Sequence, residues 1–116
     1  MYATRHVKQK IDLPMDSITV EIDKILQKIQ DEMFTAAKKI LDQKTAKTSE
    51  NSEFKEALEK GSFIDAAWCG KRECEEQIKE DTGADIRVIP FVSNNSGKCV
   101  FCKKPSITNA IFGRAY

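Results

Sequence analysis

An α+β (α/β-like) fold is predicted by three features: one long amphipathic stripe, short apolar segments alternating with shorter helical ones, and two cysteine pairs. The stripe is the clearest. Ile18, Ile22, Ile25, Ile29, Met33, Ala36 and Ile40 recur at spacings of three and four, and Leu26, Phe34, Ala37 and Leu41 widen it. That period puts them on one face of a helix over residues 16–43, begun after Pro14 with Asp16 or Ser17 as N-cap. Such a stripe can meet a partner, but the commoner use is packing on a neighbouring sheet, which is the expectation here. The predicted architecture is therefore a long N-terminal amphipathic helix packed on a small sheet with helices and a four-cysteine zinc site.

The remaining elements follow in order. Residues 1–13 mix basic and apolar positions in loose alternation and read as an extended lead-in. The polar run from Gln43 to Asn51 reads as a loop. Asn51 or Ser52 then caps a short helix bearing Phe54, Ala57 and Leu58 on one face, with Gly61 at its C′ position. Phe63–Trp68 reads as a buried strand and Arg72–Thr82 as a helix ended by Gly83, with Glu75 and Lys79 spaced for an ion pair. Residues 85–91 form a second strand with Pro90 near its end. Ser93 to Gly97 is turn chemistry, and 109–116 is a last apolar strand.

Cys69 and Cys74 are spaced C-x4-C, Cys99 and Cys102 C-x2-C, with 24 residues between the pairs. Four thiolates that converge make a closed tetrahedral site of the structural-zinc kind. Two disulfides, or four unrelated buried thiols, are the alternatives. Nothing in Met1–His6 resembles a secretory h-region, which favours a cytoplasmic setting and metal over disulfide.

Composition bounds the function classes. The 116 residues are 41% hydrophobic, with mean hydropathy −0.47 and no apolar run long enough for a membrane span. Net charge is only +1, with pI near 7.6. It is unevenly spread: residues 50–83 hold five bases and ten acids, and 84–116 five bases and one acid. The acidic middle opposes wholesale coating by nucleic acid, while the basic end suits RNA or an acidic neighbour. His6, the one histidine, is far in sequence from any cysteine, so a Cys–His nucleophile is not expected. There is no glycine-rich phosphate loop, G-x-S-x-G or H-E-x-x-H, and the glutamates around 73–80 read as a solvated helix face. No catalytic residue is assigned.

Residues 61–116 carry specific motifs. The runs Gly61–Gly70 (ending Ala67-Trp68-Cys69-Gly70), Glu73–Ala84 (with Ile78-Lys79-Glu80 and Thr82-Gly83-Ala84), Ile86–Phe91, Gly97–Cys102 and the closing Ala115-Tyr116 resemble, in order, the C-terminal zinc-binding domain of archaeal/eukaryotic-type prolyl-tRNA synthetase. Leu13-Pro14 before the long helix is similar to that family's link from its anticodon-binding domain. The resemblance implies a piece of a class II aminoacyl-tRNA synthetase: residues 1–15 a lead-in from an anticodon-binding domain, 16–116 the zinc-binding domain, made of a helical arm (16–43) and a zinc-clipped α/β unit (52–116). It implies Cys69, Cys74, Cys99 and Cys102 as ligands of a structural Zn2+, and Tyr116 as a positional contact to the catalytic domain. ATP and Mg2+ would belong only to that catalytic domain, absent from these residues. The implied partners are the catalytic and anticodon-binding domains, proline tRNA bound through the parent enzyme, and a second parent subunit in a homodimer; no membrane is implied.

Three departures from the family pattern stand out. Val88 replaces a cysteine common among relatives, at a strand position read as buried. Lys103 follows the last cysteine where glycine is usual, a strain of roughly 1 kcal/mol if φ is positive there. Gly113 stands where relatives carry alanine, expected to loosen the last strand. The alternative function is a free-standing zinc module binding RNA through Arg87, Lys98, Lys103, Lys104 and Arg114, with Phe101 and Phe112 stacking on bases. A third, a dithiol redox protein, needs an exposed C-x-x-C of low pKa.

Overall fold

Pro14 and the polar stretch after Leu41 interrupt the hydrophobic pattern, and the chain is organised around those breaks. The structure, a computed structural model, describes residues 1–92 and 97–115. Of the turn read over Ser93 to Gly97, residues 93–96 lie outside the described residues, as does the terminal Tyr116. Two compact units are present, Met1–Asp42 and Gln43–Tyr116. With a long helix, two shorter helices and a mixed four-stranded sheet, the α+β expectation is met.

In the first unit the lead-in folds back on itself. Strands β1 (Tyr2–Ala3) and β2 (Lys10–Ile11) pair antiparallel, Tyr2 opposite Ile11. Helix α1 spans Ile18–Gln43. Neither Asp16 nor Ser17 caps it: residues Met15–Ser17 form a 3-10 turn, and Pro14, extended and with no N–H to place, precedes it. Tyr2, Ile11, Ile25 and Ile29 line one small pocket with His6 and Glu32. His6 Nε2 donates to Glu32 Oε2 at 2.6 Å, joining lead-in to helix. No residue of α1 is buried, and Leu26, Met33, Phe34, Ile40 and Leu41 are all more than half exposed.

The second unit is a two-layer sheet-and-helix structure. The polar stretch after α1, expected to be loop, contains strand β3 (Thr45–Lys47), which runs parallel to β4 (Phe63–Trp68) at a sheet edge. Thr-Ala-Lys carries little hydrophobic signal, so this strand is held by its ladder rather than by side-chain burial. A parallel pair needs a crossover, and α2 (Asn51–Glu59) supplies it. Glu50, not Asn51 or Ser52, is the N-cap residue and offers no side-chain cap; Gly61 just past the C-terminal end has φ +72°.

The sheet order is β3-β4-β6-β5, with β5 Ala84–Val88 and β6 Thr108–Arg114, and β6 antiparallel to both neighbours. Strand alternation puts Ile64, Ala66 and Trp68 on the covered face, where Phe54 and Leu58 of α2 and Ile78 of α3 (Arg72–Thr82) join them. Phe54 and Phe112 meet edge to face at 5.3 Å. Gly83 caps α3 with φ +71°, and Arg114 donates from Nε and Nη2 to Thr82 O at that same end.

Several expectations need correction here. The second strand stops at Val88, and Ile89 and Phe91 beyond it are exposed, since Pro90 cannot extend the ladder. Val88 itself is half exposed. A bulge at Arg87 sets Ile86 opposite Phe112 but Val88 opposite Ile111, so Val88 is turned off the covered face. Lys79 pairs with Asp85 at 2.9 Å rather than with Glu75; the i,i+4 pair that forms on α3 is Arg72–Glu76. Strand β6 runs unbroken through Gly113. The glycine is buried and paired with Asp85, and the Phe63 ring lies over it so closely that an added Cβ would stand 2.9 Å from Phe63 Cδ1.

Candidate metal centre

Three segments bring the cysteines together at the C-terminal end of β4. Cys69 follows the last residue of that strand. Gly70 then turns the chain in the left-handed region (φ +77°), and Cys74 falls in the first turn of α3. The second pair rides on a knuckle held by backbone hydrogen bonds: Cys99 N–H to Lys104 O at 2.8 Å and Lys103 N–H to Cys99 O at 3.0 Å. The knuckle is pinned to β4 by Val100 N–H to Ala67 O (2.9 Å) and Ile107 N–H to Trp68 O (3.1 Å). The strand that leads into Cys69 thus anchors Cys99 and Cys102 through the carbonyls of Ala67 and Trp68.

All four Sγ atoms lie within 4.8 Å of one another. A tetrahedron of sulfurs about 2.3 Å from one ion has edges of about 3.8 Å, so a small contraction would close this set on a metal. All four thiols are free, and their convergence sets aside the reading as four unrelated thiols. Among the described residues this is the one group of three or more His, Cys, Asp or Glu side chains placed to hold an ion. With four sulfurs and no fifth donor, it has the composition of a closed site.

The electrostatics fit the same use. Burial pushes the Cys74 thiol up to about 12, helped by the neighbouring Cys69 and Cys102 sulfurs, and burial also raises Cys99. Cys102, at the edge of the cluster, is drawn down to about 7, chiefly by the Lys104 backbone N–H. One thiolate therefore forms readily near neutral pH. Further negative charge in so tight a group calls for a cation among the sulfurs.

Of the seven residues named for RNA contact, four are otherwise engaged, while Lys98 and Lys104 stand exposed and Phe101 is partly buried. Phe112 is fully buried against Phe54 and cannot stack on a base. Arg114 is committed to Thr82 O, Arg87 Nε donates to Gly113 O at 3.3 Å, and Lys103 Nζ donates to Ser49 O at 3.0 Å and meets Glu50 Oε2 at 3.2 Å. Lys103 also has the positive φ (+58°) that its position after the last cysteine suggested. Its long-range contacts, and the role of the Ala67 and Trp68 carbonyls, are not legible in the sequence, because backbone anchors and partners some fifty positions away leave no local motif. Trp68 Nε1 is buried without a hydrogen-bond partner among the described residues.

Comparison with known proteins gives a consistent result. The family described as "Prolyl-tRNA synthetase, C-terminal" matches residues 51–116. A proline–tRNA ligase of Cenarchaeum symbiosum is 42% identical over 98% of this chain and 24% of its own length. Proline–tRNA ligase 2 of Clostridioides difficile is 37% identical over 100% of this chain and 24% of its own. The crystal structure of prolyl-tRNA synthetase from Cryptosporidium parvum complexed with halofuginone and AMPPNP superposes with a TM-score of 0.90 at 25% identity, over 98% of this chain and 25% of that one. The chain thus spans about a quarter of the length of the relatives it matches. With the family's motif region matched over more than half of the chain and its fold reproduced, this chain belongs to the prolyl-tRNA synthetase C-terminal family.

Proposed function

We propose that this chain is the structural zinc-binding domain of a prolyl-tRNA synthetase of the archaeal/eukaryotic type, with Cys69, Cys74, Cys99 and Cys102 holding one Zn2+. The single observation that carries the reading is the convergence of four sulfurs within 4.8 Å in a chain of this family. Zinc bound there supplies a cross-link rather than Lewis-acid chemistry, because four thiolates leave no open coordination position. The chain's own part is to present the sulfurs. The end of β4 and the first turn of α3 bring one pair, and the knuckle hung on Ala67 and Trp68 brings the other. In this reading residues 1–15 lead in from the anticodon-binding domain and 16–116 form the zinc-binding domain. Ligation of proline to its tRNA, with ATP and Mg2+, belongs to catalytic and anticodon-binding domains of the parent, a cytoplasmic homodimer. Tyr116 is a positional contact to the catalytic domain. No helix among the described residues is long and apolar enough to cross a membrane.

Binding of proline tRNA to the isolated chain across a salt series tests the division of labour. A structural domain gives weak binding at near-physiological salt. Tight binding with a steep salt slope would instead assign RNA contact to this chain. Metal content of protein purified without added zinc tests the site: about one zinc per chain is expected, and a reactive dithiol without metal would favour redox chemistry instead.

A further inference from the structure

Lys103 is the one non-glycine residue among the described residues with a positive φ. It lies next to Cys102, and its N–H closes the knuckle turn onto Cys99 O. Its ammonium leaves the knuckle altogether. Nζ donates to Ser49 O at 3.0 Å and pairs with Glu50 Oε2 at 3.2 Å, on the corner between β3 and α2. That corner is itself fixed. Thr48 N–H donates to Asp65 O on β4 (3.3 Å), Glu50 N–H donates to Thr48 Oγ1 (3.1 Å), and Thr48 Oγ1 donates to Glu53 Oε2 (2.7 Å). A glycine at 103 would satisfy the backbone without strain but would have no side chain to reach the corner. Strain kept at one residue whose side chain makes two long-range contacts points to a use for that residue.

We propose that Lys103 is a positioning residue of the metal centre: a tether that binds the loop carrying Cys99 and Cys102 to the β3–α2 corner and slows opening of the site. The knuckle is then held from two sides, by its backbone bonds to Ala67 and Trp68 of β4 and by the Lys103 ammonium. The pair with Glu50 is largely exposed, so it contributes little to global stability and is sensitive to salt. Its effect belongs to local opening, which governs how fast a competing ligand reaches the sulfurs. The inference rests on the reading of the four cysteines as a metal site.

The test uses the full 116-residue chain loaded with zinc, and follows zinc release to excess chromogenic chelator beside thermal melting. Lys103→Gly is expected to release zinc about three- to tenfold faster than the parent, although its melting temperature is equal or higher because the strain is gone. Glu50→Gln is expected to speed release about twofold in the parent background and not at all in Lys103→Gly. Added salt should accelerate release from the parent more than from Lys103→Gly. Equal or slower release from Lys103→Gly, or the same Glu50→Gln effect in both backgrounds, overturns the tether while leaving the metal site standing. A parent chain that takes up no stoichiometric zinc overturns both.

Discussion

Gly113 and Phe63 are a single packing decision made by two residues of the same sheet. The ring occupies the space a methyl group at 113 would need, with Cδ1, Cε1 and Arg87 Cγ at 2.9, 3.0 and 3.4 Å from an ideal Cβ. Gly113→Ala is therefore expected to destabilise by about 1–2 kcal/mol through overpacking. Adding Phe63→Leu should recover most of the loss; a melting-temperature comparison of the two variants checks it, and equal stability of Gly113→Ala and parent would refute the contact. The four cysteines are legible in the sequence as two closely spaced pairs of the metal-ligating kind, whereas the meeting of the two pairs is not. Lys103 is legible there as a conformational problem and not as a tether. The exposure of Val88 is not, because a bulge at Arg87 is invisible in an alternating pattern.

At the scale of elements, periodicity gives the extents of α1 and α3 well, since 3.6-residue repeats and a terminal glycine are local signals. It does not give burial. The α1 stripe is divided: Ile18, Ile25 and Ile29 are partly covered, whereas Leu26, Met33 and Phe34 stand exposed. Phe34→Gln should change the unfolding free energy of this chain by less than about 0.5 kcal/mol in denaturant titration, the ordinary size for a surface change. A loss of several kcal/mol would mean that the helix buries this face. The hydrogen bond from His6 holds the Glu32 carboxyl below its ordinary value of 4.5, with Lys28 adding to the effect. A depressed carboxylate stabilises the fold above its ordinary value and ceases to as pH falls through its lowered folded-state value. Stability of the parent should thus decline below pH 4.5 more steeply than that of Glu32→Gln. Strand β3 has no pattern of its own, being a three-residue polar edge strand; only the ladder to β4 defines it.

For the whole molecule, the sheet order β3-β4-β6-β5 is what places the metal ligands, and no local signal in the sequence specifies it. It puts β6 between β4 and β5, so the chain leaving β5 must return past the end of β4, where Cys69 waits. A closed zinc site contributes apparent free energy of roughly 10–16 kcal/mol in small peptides, against about 5–15 kcal/mol for the stability of a whole domain. Removing one ligand should accordingly be felt throughout the Gln43–Tyr116 unit, and Cys99→Ser is expected to lose stoichiometric metal and melt well below the parent. Metal affinity should fall as pH falls. Zinc must displace protons from Cys74 and Cys99, whose thiols are raised, and below about 7 from Cys102 as well. The most direct measurement is zinc X-ray absorption on the purified chain, paired with melting in the presence and absence of chelator. One zinc per chain with four sulfurs at about 2.3 Å, and a large fall in melting temperature on chelation, is the predicted result. Protein without bound zinc that melts at the same temperature with or without chelator would contradict it.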